Sequence, residues 1–426
     1  MKKANMLIVA ALAVAGVLGV TAGVVAPTIA IAAEAPKQKL SASVLKPLKA
    51  AQDAMTAKNW DEALVRIKEA QAVEPKTPYD AFMIDELGWY VLLQKKDYAA
   101  AVVALEGSVN SGFVAPADLP QKVRALTQLN YQVQNYPKTI EYGNRYLELS
   151  PGDRDIAVLV AQSYYLQKDY TSARTAVQKL IAGAAKPSEQ VLLINLRCNY
   201  ELKDRPGTFQ ALEALVRFYP QPKYWDDLLT NQLYETKGDR ELRILYRLAD
   251  QTRTLDKAEE YSEMASVLIA GGFPAEASKI IERGLAANVF TGDTLAREKS
   301  DLDRARAGAA ADSKDLPGAA KSLAAAKTGN EMVAIGKLYF SVADYANAAD
   351  AIQKGLAKGG VTDADDANAL LGVALVRAGR PADAKAFFGA VKDPKYASIS
   401  RLWVLYIDST AAAATEPAPA AATPPG

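Results

Sequence analysis

From residue 42 to residue 392 the apolar residues recur at helical spacing in short blocks, and the blocks are separated by turns built from Gly, Lys, Asp or Asn. The blocks come in pairs with one order of parts: an apolar-periodic helix, a turn, an aromatic or a proline, then a second helix with a small residue on its contact face. No strand signal falls between them, and alanine and leucine dominate where valine and isoleucine would indicate a sheet. The pattern predicts an all-α chain of helical hairpins.

The turns set the period. Asn or Asp followed by an aromatic occurs at Asn59-Trp60, Asp97-Tyr98, Asn135-Tyr136 and Asp169-Tyr170, in steps of 38, 38 and 34 residues. Self-similarity near this length, without strands, means stacked helix-turn-helix units rather than a globule around one core. After the turns, Ala63, Ala101, Ala173, Ala277, Ala348 and Ala384 fill the small-residue position, where two helices are expected to approach closely. The fullest copy reads Ile335-Gly336, Tyr339, Asp344-Tyr345, Ala348, Ile352 and Gly355-Leu356.

Together with Tyr261, Met264-Ala265, Leu268, Gly272 and Ala277, and with Leu371-Gly372, Leu375, Gly379, Ala384 and Phe388, these residues resemble the tetratricopeptide repeat (TPR) family over most of residues 42–392. The resemblance implies an α-solenoid, a right-handed superhelix of about nine helix-turn-helix units, some degenerate, whose concave groove is lined by the first helix of each unit. Some units depart from the pattern. Leu87-Gly88 lies one residue too far from Asp97-Tyr98; the turns at Asp204-Arg205 and Asp239-Arg240 replace the aromatic with arginine, and the second of these places Arg243 in the small-residue position.

Residues 34–287 are expected to form an N-terminal solenoid and residues 331–410 further units ending in a capping helix with Leu402, Trp403 and Leu405 on its apolar face. Between them, residues 288–330 lose the repeat pattern in a charged, alanine-rich stretch, read as a divergent helical pair with Pro317-Gly318 at its turn or at the start of its second helix. The Ala/Pro tail, 411–426, is too poor in large apolar groups to order itself.

Charge and composition narrow the chemistry. Fifty Lys and Arg against 49 Asp and Glu leave a formal charge of +1 with no basic stripe, so nucleic acid is not an expected partner. Histidine is absent, which removes the commonest general base and nitrogen metal ligand. No metal or cofactor is expected, and the chain is read as non-enzymatic. Cys198, the single cysteine, lies in an apolar helical stretch and reads as a buried small hydrophobe. Gly107, Gly112, Gly271-Gly272 and Gly359-Gly360 separate helices; none forms a phosphate loop after a strand, so no nucleotide is expected. The acidic pairs Asp226-Asp227, Glu259-Glu260 and Asp365-Asp366 fall at or near helix starts, where negative charge answers the helix dipole.

At the N-terminus Lys2 and Lys3 precede an apolar stretch from Met6 to Ala26, followed by Ala30-Ile31-Ala32-Ala33. This is the pattern of a cleaved signal peptide, residues 1–33, and it predicts export to the periplasm. An uncleaved inner-membrane anchor facing the periplasm is the alternative, and membrane contact is expected through this segment only.

Two rows of residues mark the expected groove. Five positions before the turn aromatic, or the arginine replacing it, stand Tyr131, Tyr165 and Tyr200; eight before stand Gln128, Gln162, Arg197 and Gln232. The rows share one helix face. With Arg124 they suit an extended peptide, rings supplying area and amides meeting backbone groups. Alternatively, the tyrosines pack on neighbouring helices and show solvent only their hydroxyls. The expected function is a scaffold for a protein or peptide partner in envelope assembly, secretion or energy transduction. Two other readings stand beside it: a glycan- or peptidoglycan-binding or remodelling protein using Trp225, the tyrosine row and neighbouring acids, and a membrane-tethered assembly factor.

Overall fold

The computed structural model describes residues 39–415, with side chains as far as Ala411. The expected signal segment and residues 416–426 lie outside the described residues. Within them the chain is all-α, twenty helices without a strand, in two compact units divided after Lys203.

The first unit holds four hairpins and one further helix: α1 (Ala42–Thr56) with α2 (Trp60–Gln71), α3 (Pro78–Gln94) with α4 (Tyr98–Asn110), α5 (Leu119–Gln132) with α6 (Tyr136–Leu149), α7 (Arg154–Leu166) with α8 (Tyr170–Ala182), and α9 (Glu189–Glu201). Each helix packs on its chain neighbours, and first helices also meet across hairpins, α1 on α3, α5 on α7 and α7 on α9. The contacts are local, as in a stack. The extra residue before Asp97 is absorbed by α3, which runs 17 residues against 13 in α7 and α9.

The recurring Asn/Asp-aromatic pair has a physical origin in the turn. Lys58, Lys96, Gln134 and Lys168 take left-handed φ of 55–63°. This conformation lets the next residue donate its N–H back into the helix, Asn59 to the Ala54 carbonyl at 2.9 Å and Asp169 to that of Tyr164 at 3.0 Å. The same Asn or Asp then caps the second helix, its side chain accepting the amide of Glu62, Ala100, Lys138 or Ser172. One residue therefore ends one helix and starts the next. The alanines of the small-residue position, Ala63, Ala101, Ala173, Ala277, Ala348 and Ala384, are all 0% exposed, as close helix approach requires.

The second unit comprises α10 (Arg205–Phe218), α11 (Pro222–Glu235), α12 (Asp239–Thr252), α13 (Ala258–Ala270), α14 (Pro274–Ala286), α15 (Gly292–Ala325), α16 (Gly329–Ser341), α17 (Tyr345–Lys358), α18 (Ala364–Arg377), α19 (Pro381–Gly389) and α20 (Pro394–Thr415). Four hairpins lie within it: α11/α12, α13/α14, α16/α17 and α18/α19. With the four of the first unit that makes eight complete hairpins among the described residues, and the ninth expected one, α9/α10, is divided at the unit boundary.

Three expectations are corrected here. Residues 288–330 do not form a helical pair: α15 is one helix of 34 residues with Pro317 inside it. A proline removes one backbone bond at a cost of about 3 kcal/mol, but the surrounding alanines and charged residues are strong helix formers and nothing near it caps or reverses the chain. The terminal helix is more than a cap on the last hairpin. Besides α19, α20 packs on α10, α12 and α18, and α12 also meets α18, so the unit's end returns to its beginning. Trp403, 0% exposed, stacks on Phe388 and donates Nε1–H to the Ile244 carbonyl at 3.1 Å. Finally, α20 continues through residues 411–415, so the helix takes in the start of the Ala/Pro tail.

Candidate functional site

Because α5, α7 and α9 are neighbours, residues at equal distance from their turns lie side by side on the first-helix face of the first unit. Gln128 and Tyr131 come from α5, Gln162 and Tyr165 from α7, Arg197 and Tyr200 from α9. The tyrosine question resolves between the two expected roles. Tyr131 and Tyr165 are half-buried and pack on the turn tyrosine of their own hairpin, Tyr136 at 5.9 Å and Tyr170 at 5.4 Å between ring centres. Burial raises both hydroxyl pKa values, and Arg197 and Glu201 from α9 act on Tyr165 in opposite directions. Tyr200 has no such turn partner, its place being taken by Arg205 in the sequence, and it is 53% exposed.

The glutamine row differs in depth. Gln128 is half-buried, whereas Gln162 is only 7% exposed. Arg124 is held within the fold: its Nε donates to Asp153 Oδ2 at 2.9 Å, an oxygen that also accepts the Tyr146 hydroxyl at 2.9 Å. It joins α5 to the start of α7, and Arg124 in turn helps keep the Asp153 carboxyl below its ordinary pKa against the opposing effect of burial. Gln232 belongs to the second unit and points its amide at Thr236 Oγ1, 3.4 Å away in its own helix end. Glu201, beside Tyr165 and Tyr170, is a member of the first-unit face that the spacing argument missed.

In the second unit the same positions are used differently. Before the Tyr345 turn, the residue five back is Phe340 and the residue eight back is Lys337. Phe340 is 1% exposed and lies 4.6 Å from the guanidinium of Arg247, which Phe273 covers on another side at 4.3 Å. Arg247, itself 1% exposed, donates through Nε and Nη2 to Glu276 at 3.1 and 2.7 Å, and Arg377 adds a bond to the other oxygen at 2.7 Å. Burial opposes the Glu276 charge, but Arg247 and then Arg377 outweigh it and bring the carboxyl down to about 2. Lys337 pairs with Asp366 at 3.0 Å, where Arg243 and the Tyr396 hydroxyl also converge. Arg243 has room because it crosses Gly271, where a Cβ would sit 2.7 Å from its Cδ.

Other candidate groups resolve simply. Cys198 is fully buried, and burial pushes its thiol up to about 12, so it is an inert hydrophobe. Glu259-Glu260 and Asp365-Asp366 occupy first turns. Asp226-Asp227 do not: they lie beyond the first turn of α11, where burial raises both carboxyls, Asp227 to about 6. Trp225 is 3% exposed and packs edge-on against Tyr406 at 6.1 Å, so it offers no face to a sugar. No group of metal-ligating side chains occurs among the described residues.

No protein-family model and no curated protein matches the chain. Among solved structures it is similar to a tetratricopeptide repeat protein from Parabacteroides merdae, at 13% identity over 79% of this chain and 100% of that one, with a TM-score of 0.30. It is similar also to Pseudomonas aeruginosa pilF, at 16% identity over 42% of this chain and 92% of the other (TM-score 0.25). A third is the TPR2AB-domain:pHSP90 complex of yeast Sti1, at 13% identity over 62% and 98% (TM-score 0.33). The hairpin geometry above, rather than these distant likenesses, carries the description of the fold.

Proposed function

We propose that the chain is a non-enzymatic scaffold that holds an extended segment of a partner protein along the first-helix face of its first unit. Gln162 supports this most directly. It is 7% exposed, it lies in the row between Gln128 and Arg197, and its amide makes no side-chain hydrogen bond among the described residues. An amide that the fold leaves uncommitted, next to other polar side chains of the row, is free to pair with a backbone group of a bound segment. Tyr131 and Tyr165, anchored by their turn partners, supply ring area with little entropy left to lose, and Tyr200 extends the row outward. The N-terminal pattern from Lys2 to Ala33 supports a place outside the cytoplasm, in the periplasm, either free or tethered by that segment.

A photo-crosslinking residue in place of Tyr165, introduced in living cells, tests the reading. Capture of a discrete partner is expected, and Arg197→Glu in the same chain should abolish it. An adduct that persists through that substitution, or none at all, would remove this face from consideration.

A further inference from the structure

Beside the buried charge network of the second unit opens a cleft of about 410 Å³, lined among others by Asp250, Lys279, Arg283, Tyr345 and Arg377. Its floor is internally satisfied, with Arg377 bonded to Glu276 at 2.7 Å and 3.5 Å from Asp250. The rim is not. Lys279 is exposed and has no ion pair among the described residues. Arg283, half exposed, gives an N–H to Asp250 and keeps other donors of its fork open. The Tyr345 hydroxyl accepts from Arg377 Nη1 at 3.3 Å, which turns its own hydrogen away from the guanidinium, toward no acceptor among the described residues. Among the lining residues three cations, Lys279, Arg283 and Arg377, stand against two carboxylates, Asp250 and Glu276, a formal charge of +1.

Three unspent donors of two kinds around a cationic cleft call for an anionic acceptor. The two carboxylates close by disfavour the concentrated charge of a tetrahedral phosphate, while a planar carboxylate, with one charge per group, matches the guanidinium fork. We propose that this cleft is a second binding site, separate from the face of the first unit, that takes a carboxylate: Lys279 and Arg283 hold its oxygens and the Tyr345 hydroxyl donates to one of them. The carboxylate belongs either to a small free acid or to an acidic side chain of a partner, and the chemistry at the cleft is the same for both.

Calorimetric titration of the folded chain with succinate, with a short end-blocked peptide carrying two glutamates, with its glutamine counterpart and with inorganic phosphate tests the assignment. Saturable one-site binding of succinate or of the glutamate peptide is expected, weakened about tenfold or more by Lys279→Glu, a change at an exposed position that leaves the folded state in place. Tyr345→Phe should weaken it severalfold. Binding of succinate identifies a free acid; binding of the glutamate peptide alone identifies a partner's side chain. The proposal is overturned if neither binds, if phosphate or the glutamine peptide binds as tightly, or if Lys279→Glu leaves the affinity unchanged.

Discussion

The two units use one pair of positions for opposite ends. In the first, the residues five and eight before the turn are Tyr131 with Gln128 and Tyr165 with Gln162, and they form a face whose polar groups are not consumed by the fold. In the second, Phe340 and Lys337 hold those positions and are consumed, one beneath Arg247 and the other by Asp366. The same backbone serves both. The repeat decides where these side chains stand, and what they are decides whether the surface stays open or is filled by arginines from a neighbouring helix. A hairpin stack thus keeps an open polar face or fills it through a few substitutions at fixed places.

Removing an arginine should separate the two most sharply. Arg247→Ala leaves Glu276 buried with one fewer partner, and a loss of about 3–5 kcal/mol is expected. Hydrogen exchange should locate the loss in α12, α14 and α16 while α5 and α7 keep their protection; equal loss in both would erase the contrast. Acid acts on the same carboxylate. The folded pKa of Glu276, about 2, lies below its ordinary 4.5, so its contribution is complete above pH 4.5 and is lost as pH falls toward 2. That contribution is on the order of 3 kcal/mol. Urea unfolding over this range should show the stability gap between the parent chain and Glu276→Gln closing as pH drops.

Smaller effects probe the backbone device that the units share. Gly271→Ala forces a methyl against Arg243 and should cost about 1–3 kcal/mol by thermal or urea unfolding. Asn59→Ala and Asp344→Ala each delete one cap, in different units, and each should cost about 1 kcal/mol. A large inequality between them would mean that the turn is not the common element. Tyr200→Ala, at an exposed site, should change stability by less than about 0.5 kcal/mol while reducing partner capture by the first-unit face.

Much of the fold was legible because its determinants are local. The Asn/Asp-aromatic pairs announce a turn whose left-handed residue, back-bond and cap lie within a few positions of one another. The small-residue alanines and Cys198 follow from the same helical register. Where two local rules conflict, the reading failed: Pro317 suggested a break, and helix-forming neighbours overrode it. The closure of the second unit joins residues 159 apart, and no short pattern encodes that. Its one visible trace was Arg243 in a position meant for a small side chain. For the same reason register alone places Gln162 and Tyr165 on one helix face, since such positions recur with the period, whereas the donors of the cleft come from α14, α17 and α18 and meet only in space.

The bond from Trp403 to the Ile244 carbonyl also sets an order of events during synthesis. Hairpins of the first unit can settle one by one as they leave the ribosome, since each needs only its predecessor. The second unit has to wait: α10 and α12 emerge with the surface meant for α20 bare, and they stay so until well over a hundred further residues have been translated. That interval is the time in the life of the chain when a chaperone has most to shield.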